Sequence, residues 1–582
     1  PVPYVLNSNL EINAKGVILK AMEQFRLKTC IDFKPREAET YYLSIQNLNG
    51  CQSFVGQQEP DGQMLSIGQN CDTVAIVEHE LLHALGFYHE QSRFDRDEYV
   101  TIITENIEKG REQNFRIVES SQSTTNGVEY DYLSVMHYGA MTFNNGTGNT
   151  INTTDPAFQD VIGQRLDMSP RDILELNLLY SCNSTIAFQM FCGFISGSTC
   201  NMTKCSQSEL QWEMVTSVSD GPASDHTYLP SGMEGEGYFM HVNTGSGQEG
   251  DSAWLETNRM SPKRDCHIQC LQFYYYHSGN EGDQLNIWMR EFDDKTDTKG
   301  TAQLTRLVST GPATSHWKLH HVSLNATKHF QVEFEVLKGT GNSTGGFSID
   351  DINLSDTQCP HGKMQIDDLE NRLENERNRT ILYSQRQYSP DGYAYRVAVI
   401  LNSQTFLGLY VQLVSGVNDD MLEWPCPYRQ VTLKMLDQNP NIQLQMSKQI
   451  TFTTDPERIF NGLYLYDNPR KNGSTFIDEN NEVAYGGFLS GRRIFLTRDD
   501  LKFREFIKGG SGIFTFSFEG MRLLILCFSV ICELLLWFFL FFSYSFCTFF
   551  LYFYVILLFF CVFYGVVVIL VYCCYPFSCI YL

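Results

Sequence analysis

His79-Glu80-Leu81-Leu82-His83-Ala84-Leu85-Gly86-Phe87-Tyr88-His89 is the stretch on which the reading of this chain turns. His79 and His83 stand four apart, so on a helix they project from one face, about one turn from each other. Val77, Leu81 and Leu85 fall on the other side, which can pack inward while the imidazoles face a cleft. Gly86 is suited to the left-handed turn that ends a helix, after which the chain bends back and His89 supplies a third nitrogen. Three neutral imidazoles leave a fourth position open on a zinc ion, as catalytic zinc requires. Glu80 adjoins the first ligand and is placed to take a proton from water. The plain alternative is a pair of core histidines. Three histidines, a glutamate and a glycine in this register arise by accident on the order of one time in ten thousand or less.

Ser134-Val135-Met136-His137-Tyr138 lies downstream, followed by Gly139. It resembles the Met-turn of the metzincins, where a methionine forms an apolar floor under the metal histidines. The tyrosine two residues after the methionine is similar to the astacin family in particular. That resemblance implies a zinc endopeptidase with one Zn2+, held by His79, His83 and His89. It implies Glu80 as the base, Met136 as the floor, and Tyr138 as a further ligand that swings away to hydrogen-bond the tetrahedral intermediate. Spacing alone allows the cysteines of this unit, Cys30, Cys51, Cys71 and Cys182, three pairings. The astacin resemblance implies Cys30 with Cys182 and Cys51 with Cys71.

Arg165, in Ile162-Gly163-Gln164-Arg165, and Arg111, in Gly110-Arg111-Glu112-Gln113, resemble primed-side substrate-binding positions of β-type meprins, which favour acidic residues just after the scissile bond. A guanidinium grips a carboxylate through two parallel hydrogen bonds. Such a charged bond is worth about 1.5–3 kcal/mol, or about ten- to hundred-fold in selectivity. The plain alternative for both arginines is a surface ion pair.

At 582 residues the chain is several domains. Its net charge of −24 argues against a nucleic-acid partner. Of the 18 cysteines, those before Lys508 are spread singly, and with the sequons at Asn145, Asn152, Asn183, Asn201, Asn325, Asn342, Asn353, Asn378 and Asn472 they suit an oxidising, secretory compartment. No signal peptide stands at Pro1, so the reading places the start after any targeting segment and inside the mature protease.

Residues 1–182 read as the protease, an α+β metzincin domain. Helices are expected over Val17–Leu27, from an N-cap at Asp72, over Asp97–Gln113, and from Ser169 to about Tyr180 with Asp172 completing a capping box. Short strands are expected at Ile31–Phe33 and Tyr41–Ile45. Residues 184–359 turn to alternating strands such as Leu271–Tyr276, Gln284–Arg290 and Phe330–Val336, which predicts an all-β sandwich. Gly345-Gly346-Phe347-Ser348-Ile349-Asp350-Asp351-Ile352 resembles the closing motif of MAM domains, which are adhesion and dimerisation modules. Asp350 and Asp351 read either as cation ligands or as solvated turn carboxylates. His320 and His321 read as structural. Residues 365–510 are β-rich again. Gly392–Leu401, Leu407–Val411 and Asp419–Cys426 there resemble a MATH (TRAF-like) domain, and Asp367–Arg379 reads as a solvated connector. Protease, MAM and MATH in that order resemble the meprins within the astacin family.

Residues 513–582 form a hydrophobic tail, long enough to cross a bilayer once or twice. It reads equally as a membrane segment or as a mistranslated end, and no EGF-like cysteine spacing is visible. In activated astacins the new amino terminus lies beside the glutamate after the third histidine, here Glu90; the chain as it starts is expected not to reach it. The segment Ser231–Gly235 lacks the cysteine that links meprin subunits, so pairing as a homodimer or hetero-oligomer through MAM and MATH is expected to be non-covalent. Cys205 and Cys266 are read as pairing with each other or with a partner. The reading is a zinc endopeptidase acting on proteins and peptides, at the extracellular face of the plasma membrane or secreted. The rival of another class is an adhesion protein with an idle protease unit.

Overall fold

Ile12–Lys28 (α1) is buried on most of its surface, with Val17, Ile18, Ala21, Met22 and Phe25 fully buried. Such a helix must lie between other elements rather than on a surface. The computed structural model describes residues 1–206, 209–229, 237–308, 312–376, 379–402 and 405–520, and places α1 against Val74–Ala84 (α2). The protease sheet comprises Val2–Leu6 (β1), Phe33–Pro35 (β2), Leu43–Gln46 (β3), Cys51–Ser53 (β4) and Gln63–Ile67 (β5), in the order β2-β1-β3-β5-β4. All neighbours are parallel except the edge strand β4. Cys30 pairs with Cys182 across 152 residues and Cys51 with Cys71 across 20. In the chain-entropy picture the first closure stabilises the fold by about 5 kcal/mol.

The zinc helix does begin beside Asp72, but its N-cap is Thr73, and the Asp72 carboxylate instead accepts a bond from Asn13 Nδ2 at 2.6 Å. Asp97–Gln113 is not a helix. Its β-branched run makes the strand Val100–Ile102, paired with Ile151–Thr153, and the rest is short 3-10 turns. The third helix, Pro170–Leu179 (α3), does carry the Ser169–Asp172 capping box.

The middle of the chain is a sandwich of a six-stranded and a five-stranded sheet, in which Gln269–His277, Gln284–Phe292 and His329–Leu337 are strands. Cys192 pairs with Cys200 and Cys270 with Cys359. Cys205 and Cys266 are not joined to each other. Asp350 and Asp351 are neither solvated nor turn residues. Both are fully buried in Gly346–Ser355, where Asp350 accepts the His226 N–H and Asp351 accepts from His226 Nδ1 and Thr227 Oγ1. Asn353 is also fully buried, its amide donating to Asp351 O and Pro440 O, so this sequon is closed to a glycan.

The third sandwich includes Gly362–Ile366, Arg429–Met435 and Ser511–Gly520 in one sheet and Ala394–Asn402, Phe406–Val414 and Val483–Thr497 in the other. Ser511–Gly520 runs past residue 513, where the apolar tail was expected to begin. Ile513, Phe514, Phe516 and Phe518 are core residues of this strand. The charged run after Asp367 contains the short helix Leu369–Asn375. The tail from 521, the Asn378 sequon and Ser231–Gly235 lie outside the described residues.

The three domains interlock. Trp317 and Leu319 of the middle sandwich share a cluster with Leu436 and Ile513 of the third. Lys28, buried at the end of α1, reaches Asp167 Oδ1 at 2.7 Å and Gln445 O of the third domain at 3.0 Å. A buried ammonium is tolerated only with such partners.

Candidate metal centre

Valine and leucine on the inner side of α2 seat the helix, and His79 and His83 leave its other face. The helix ends in a Schellman motif. Gly86, at φ +109°, donates its N–H to His83 O, and Phe87 donates to Leu82 O. The same turn orients a ligand, because His83 Nδ1 bonds Phe87 O at 2.7 Å. His79 Nδ1 bonds Val135 O, in the Met-turn, at 2.8 Å. A carbonyl only accepts, so both rings carry their proton on Nδ1 and present a bare Nε2.

His79, His83 and His89 have ligand atoms within 4.8 Å of one another, and His83 Nε2 faces His89 Nε2 at 3.2 Å. Burial, with repulsion among the rings and from Arg165, holds His79 and His89 well below the ordinary imidazole range, and burial lowers His83. Neutral, converging imidazoles fit zinc. Glu80 is 4 % exposed, and its Oε2 is buried with no hydrogen-bond partner among the described residues. Burial pushes its carboxyl up to about 7, partly opposed by Arg165. A carboxyl oxygen left without a partner beside converging imidazole nitrogens belongs to a site built for a cation and a polar ligand.

The Met-turn is fixed from two sides. Ser134 Oγ accepts the Met136 N–H, and Met136 O accepts the Glu90 N–H just after the third histidine. Met136 is 1 % exposed. Tyr138 follows, its N–H bonded to Gln91 Oε1 and its ring centroid 4.4 Å from that of His89. Phe115 and Phe143 flank that ring at 5.7 Å each. Burial pushes the phenol up to about 12. Gly163 lies so close to Gly139 that a Cβ would come within 2.4 Å of its Cα, and it sits at φ +82°. This close approach seats Arg165 against the Met-turn. Its Nη1 donates to Gln164 O, Val135 O and His137 O at 2.7, 3.2 and 3.4 Å.

The structure therefore brings His79, His83, His89, Glu80, Tyr138 and Arg165 together. Arg111 stands apart at the rim. It is half exposed, 3.9 Å from Glu108, with its guanidinium 5.3 Å over the Phe143 ring. Sequence reasoning missed Gln91, Phe115 and Phe143, and no spacing signal pointed to them.

Residues 1–181 match the peptidase family Astacin, residues 192–360 the MAM domain family (meprin/A5/mu) and residues 361–517 the MATH domain family. The chain is 48% identical to Meprin A subunit beta of Mus musculus over 509 residues, 87% of this chain and 71% of that protein. The human Meprin A subunit beta is 48% identical over 510 residues, 87% of this chain and 72% of that one. The chain belongs to the meprins of the astacin family. This meprin-family protein is a zinc-dependent metalloendopeptidase, and His79, His83 and His89 form the group able to hold the metal. Among solved structures, High choriolytic enzyme 1 of Oryzias latipes is 39% identical, with 31% of this meprin-family chain and 90% of that chain covered and a TM-score of 0.30.

Proposed function

We propose that this zinc endopeptidase cleaves extracellular proteins and peptides before acidic residues. His79, His83 and His89 would hold the zinc, and Tyr138 would be a further ligand. When bound, zinc supplies a Lewis acid that polarises a peptide carbonyl and acidifies water. Glu80 accepts a proton from the attacking water at its carboxylate and returns it to the departing amide nitrogen. The Tyr138 hydroxyl donates to the carbonyl oxygen as negative charge gathers there. Arg165 pairs with the carboxylate of the residue after the scissile bond, and Arg111 adds positive potential at the rim.

The observation that carries the acidic preference is the place of Arg165. Among the described residues its hydrogen bonds, to the Met-turn and Gln164, use Nη1, so Nη2 and Nε are available to a ligand, and its charge is felt by Glu80 and Tyr138. The test is Arg165→Glu, assayed on paired peptides carrying Asp or Lys after the cut. The proposal requires the Asp preference to fall by about ten- to hundred-fold; an unchanged ratio refutes it. We further propose that residues 521–582 enter a bilayer, holding the protease at an outer membrane face, and that subunits pair through MAM and MATH.

A further inference from the structure

We infer that the end of the MATH sandwich from which the chain departs lies against a zwitterionic lipid surface. This rests on the proposal that residues 521–582 enter a bilayer. Gly520 closes its strand beside Arg429, and Gln430 pairs with Thr453 on the next strand. The hairpin that follows Thr453 therefore springs from the end where the chain leaves. On the other sheet Val414 pairs with Gly486 and Tyr395 with Leu413, which brings the turn after Val414 to that end too. Asp391, bonded to Arg429 Nε, ties the two sheets there.

This end is unusually apolar at its surface. The hairpin Ile459-Phe460-Asn461-Gly462-Leu463-Tyr464 pairs Ile459 with Tyr464 and Phe460 with Leu463 around a two-residue turn at positive φ. Its four apolar side chains are 61, 52, 40 and 48 % exposed in chain order. Val417 and Met421, in the turn after Val414, are 82 % and 79 % exposed, and Tyr428 is 51 % exposed. Apolar side chains gathered at one end of a domain mark a contact surface, and tyrosines suit the water–lipid boundary.

The course of the chain identifies the occupant. Only Met521 and Arg522 separate Gly520 from Leu523, and from there to Leu582 the one Asp, Glu, Lys or Arg is Glu533. Two extended residues span about 7 Å. An apolar segment that enters a bilayer so soon holds this end of the sandwich at the headgroups. Asp419 pairs with Arg470 and Asp467 with Lys471, while exposed Asp420, Glu423, Asp455 and Glu457 outnumber Arg458. The excess negative charge disfavours an anionic surface and selects neutral headgroups.

The test uses the full chain in phosphatidylcholine vesicles, with a benzophenone amino acid at position 460 or at position 502, in the helix Arg498–Phe503 that follows Thr497, whose partner Phe406 lies at the opposite end of its strand from Val414. Irradiation should give a phospholipid adduct from 460 and none from 502. Vesicle flotation with crosslinks from 460 only to protein, whether a second copy or residues 521–582, or with no crosslink, overturns the docking while the tail still inserts. A chain that does not float overturns both readings.

Discussion

The carboxylate of Asp172 binds Ser134, accepting its Oγ–H at 2.5 Å, while its second oxygen accepts the Val135 N–H at 2.8 Å. The same carboxylate closes the cap of α3 on the Ser169 N–H at 2.9 Å. Val135 in turn holds His79. One buried side chain thus joins a helix start to the turn that aims a zinc ligand.

Asp172→Ala leaves three buried donors unpaired. It should cost about 3–5 kcal/mol of stability and weaken zinc retention. Thermal unfolding and the metal content of the purified variant check this. Asp172→Asn should lie between the parent and the alanine variant.

Glu80→Gln should keep zinc stoichiometry while lowering turnover by about a thousandfold or more, because the amide cannot take a proton. Stripping zinc with a chelator should abolish turnover of the parent enzyme, and added zinc should restore it. Metal analysis beside peptide hydrolysis separates the two effects.

In the proposed mechanism Tyr138→Phe removes one donor to the developing negative charge. It should lower kcat about ten- to hundred-fold with little change in KM. The phenyl ring keeps its place beside His89, Phe115 and Phe143, so thermal stability should hold.

Glu175 on α3 is pushed up to about 7 by burial, partly opposed by Arg93. The folded state therefore binds more protons than the unfolded chain between pH 4.5 and 7, and this group's contribution to stability falls as pH rises through that window. Glu175→Gln should flatten the slope and stabilise the protein at pH 8 by about 2 kcal/mol. Melting temperatures of the parent and the variant from about pH 5 to 8 read the difference.

The zinc helix is legible in sequence because ligand spacing and helical period coincide, and Gly86 marks the stop. The cap of α3 is legible because its partners are three residues apart. The second role of Asp172 is not, since Ser134 lies 38 residues away. Asp72 misleads as a cap because Asn13, 59 residues distant, takes its carboxylate. Residues 513–520 alternate Phe514, Phe516 and Phe518 with Thr515, Ser517 and Glu519, the period of a strand, and read as the start of the tail only because phenylalanine is frequent in both. The MAM and MATH strands are legible from alternation, but the burial of Asp350, Asp351 and Asn353 is set by the loops that fold over them.

The Cys30–Cys182 bridge encloses nearly the whole protease domain. A peptide bond cut anywhere inside that ring leaves one covalent molecule. Self-digestion at the surface turns near Asn126 or Asn145 would thus pass unseen on a non-reducing gel, and a damaged enzyme would travel as an intact one until its thiols were freed.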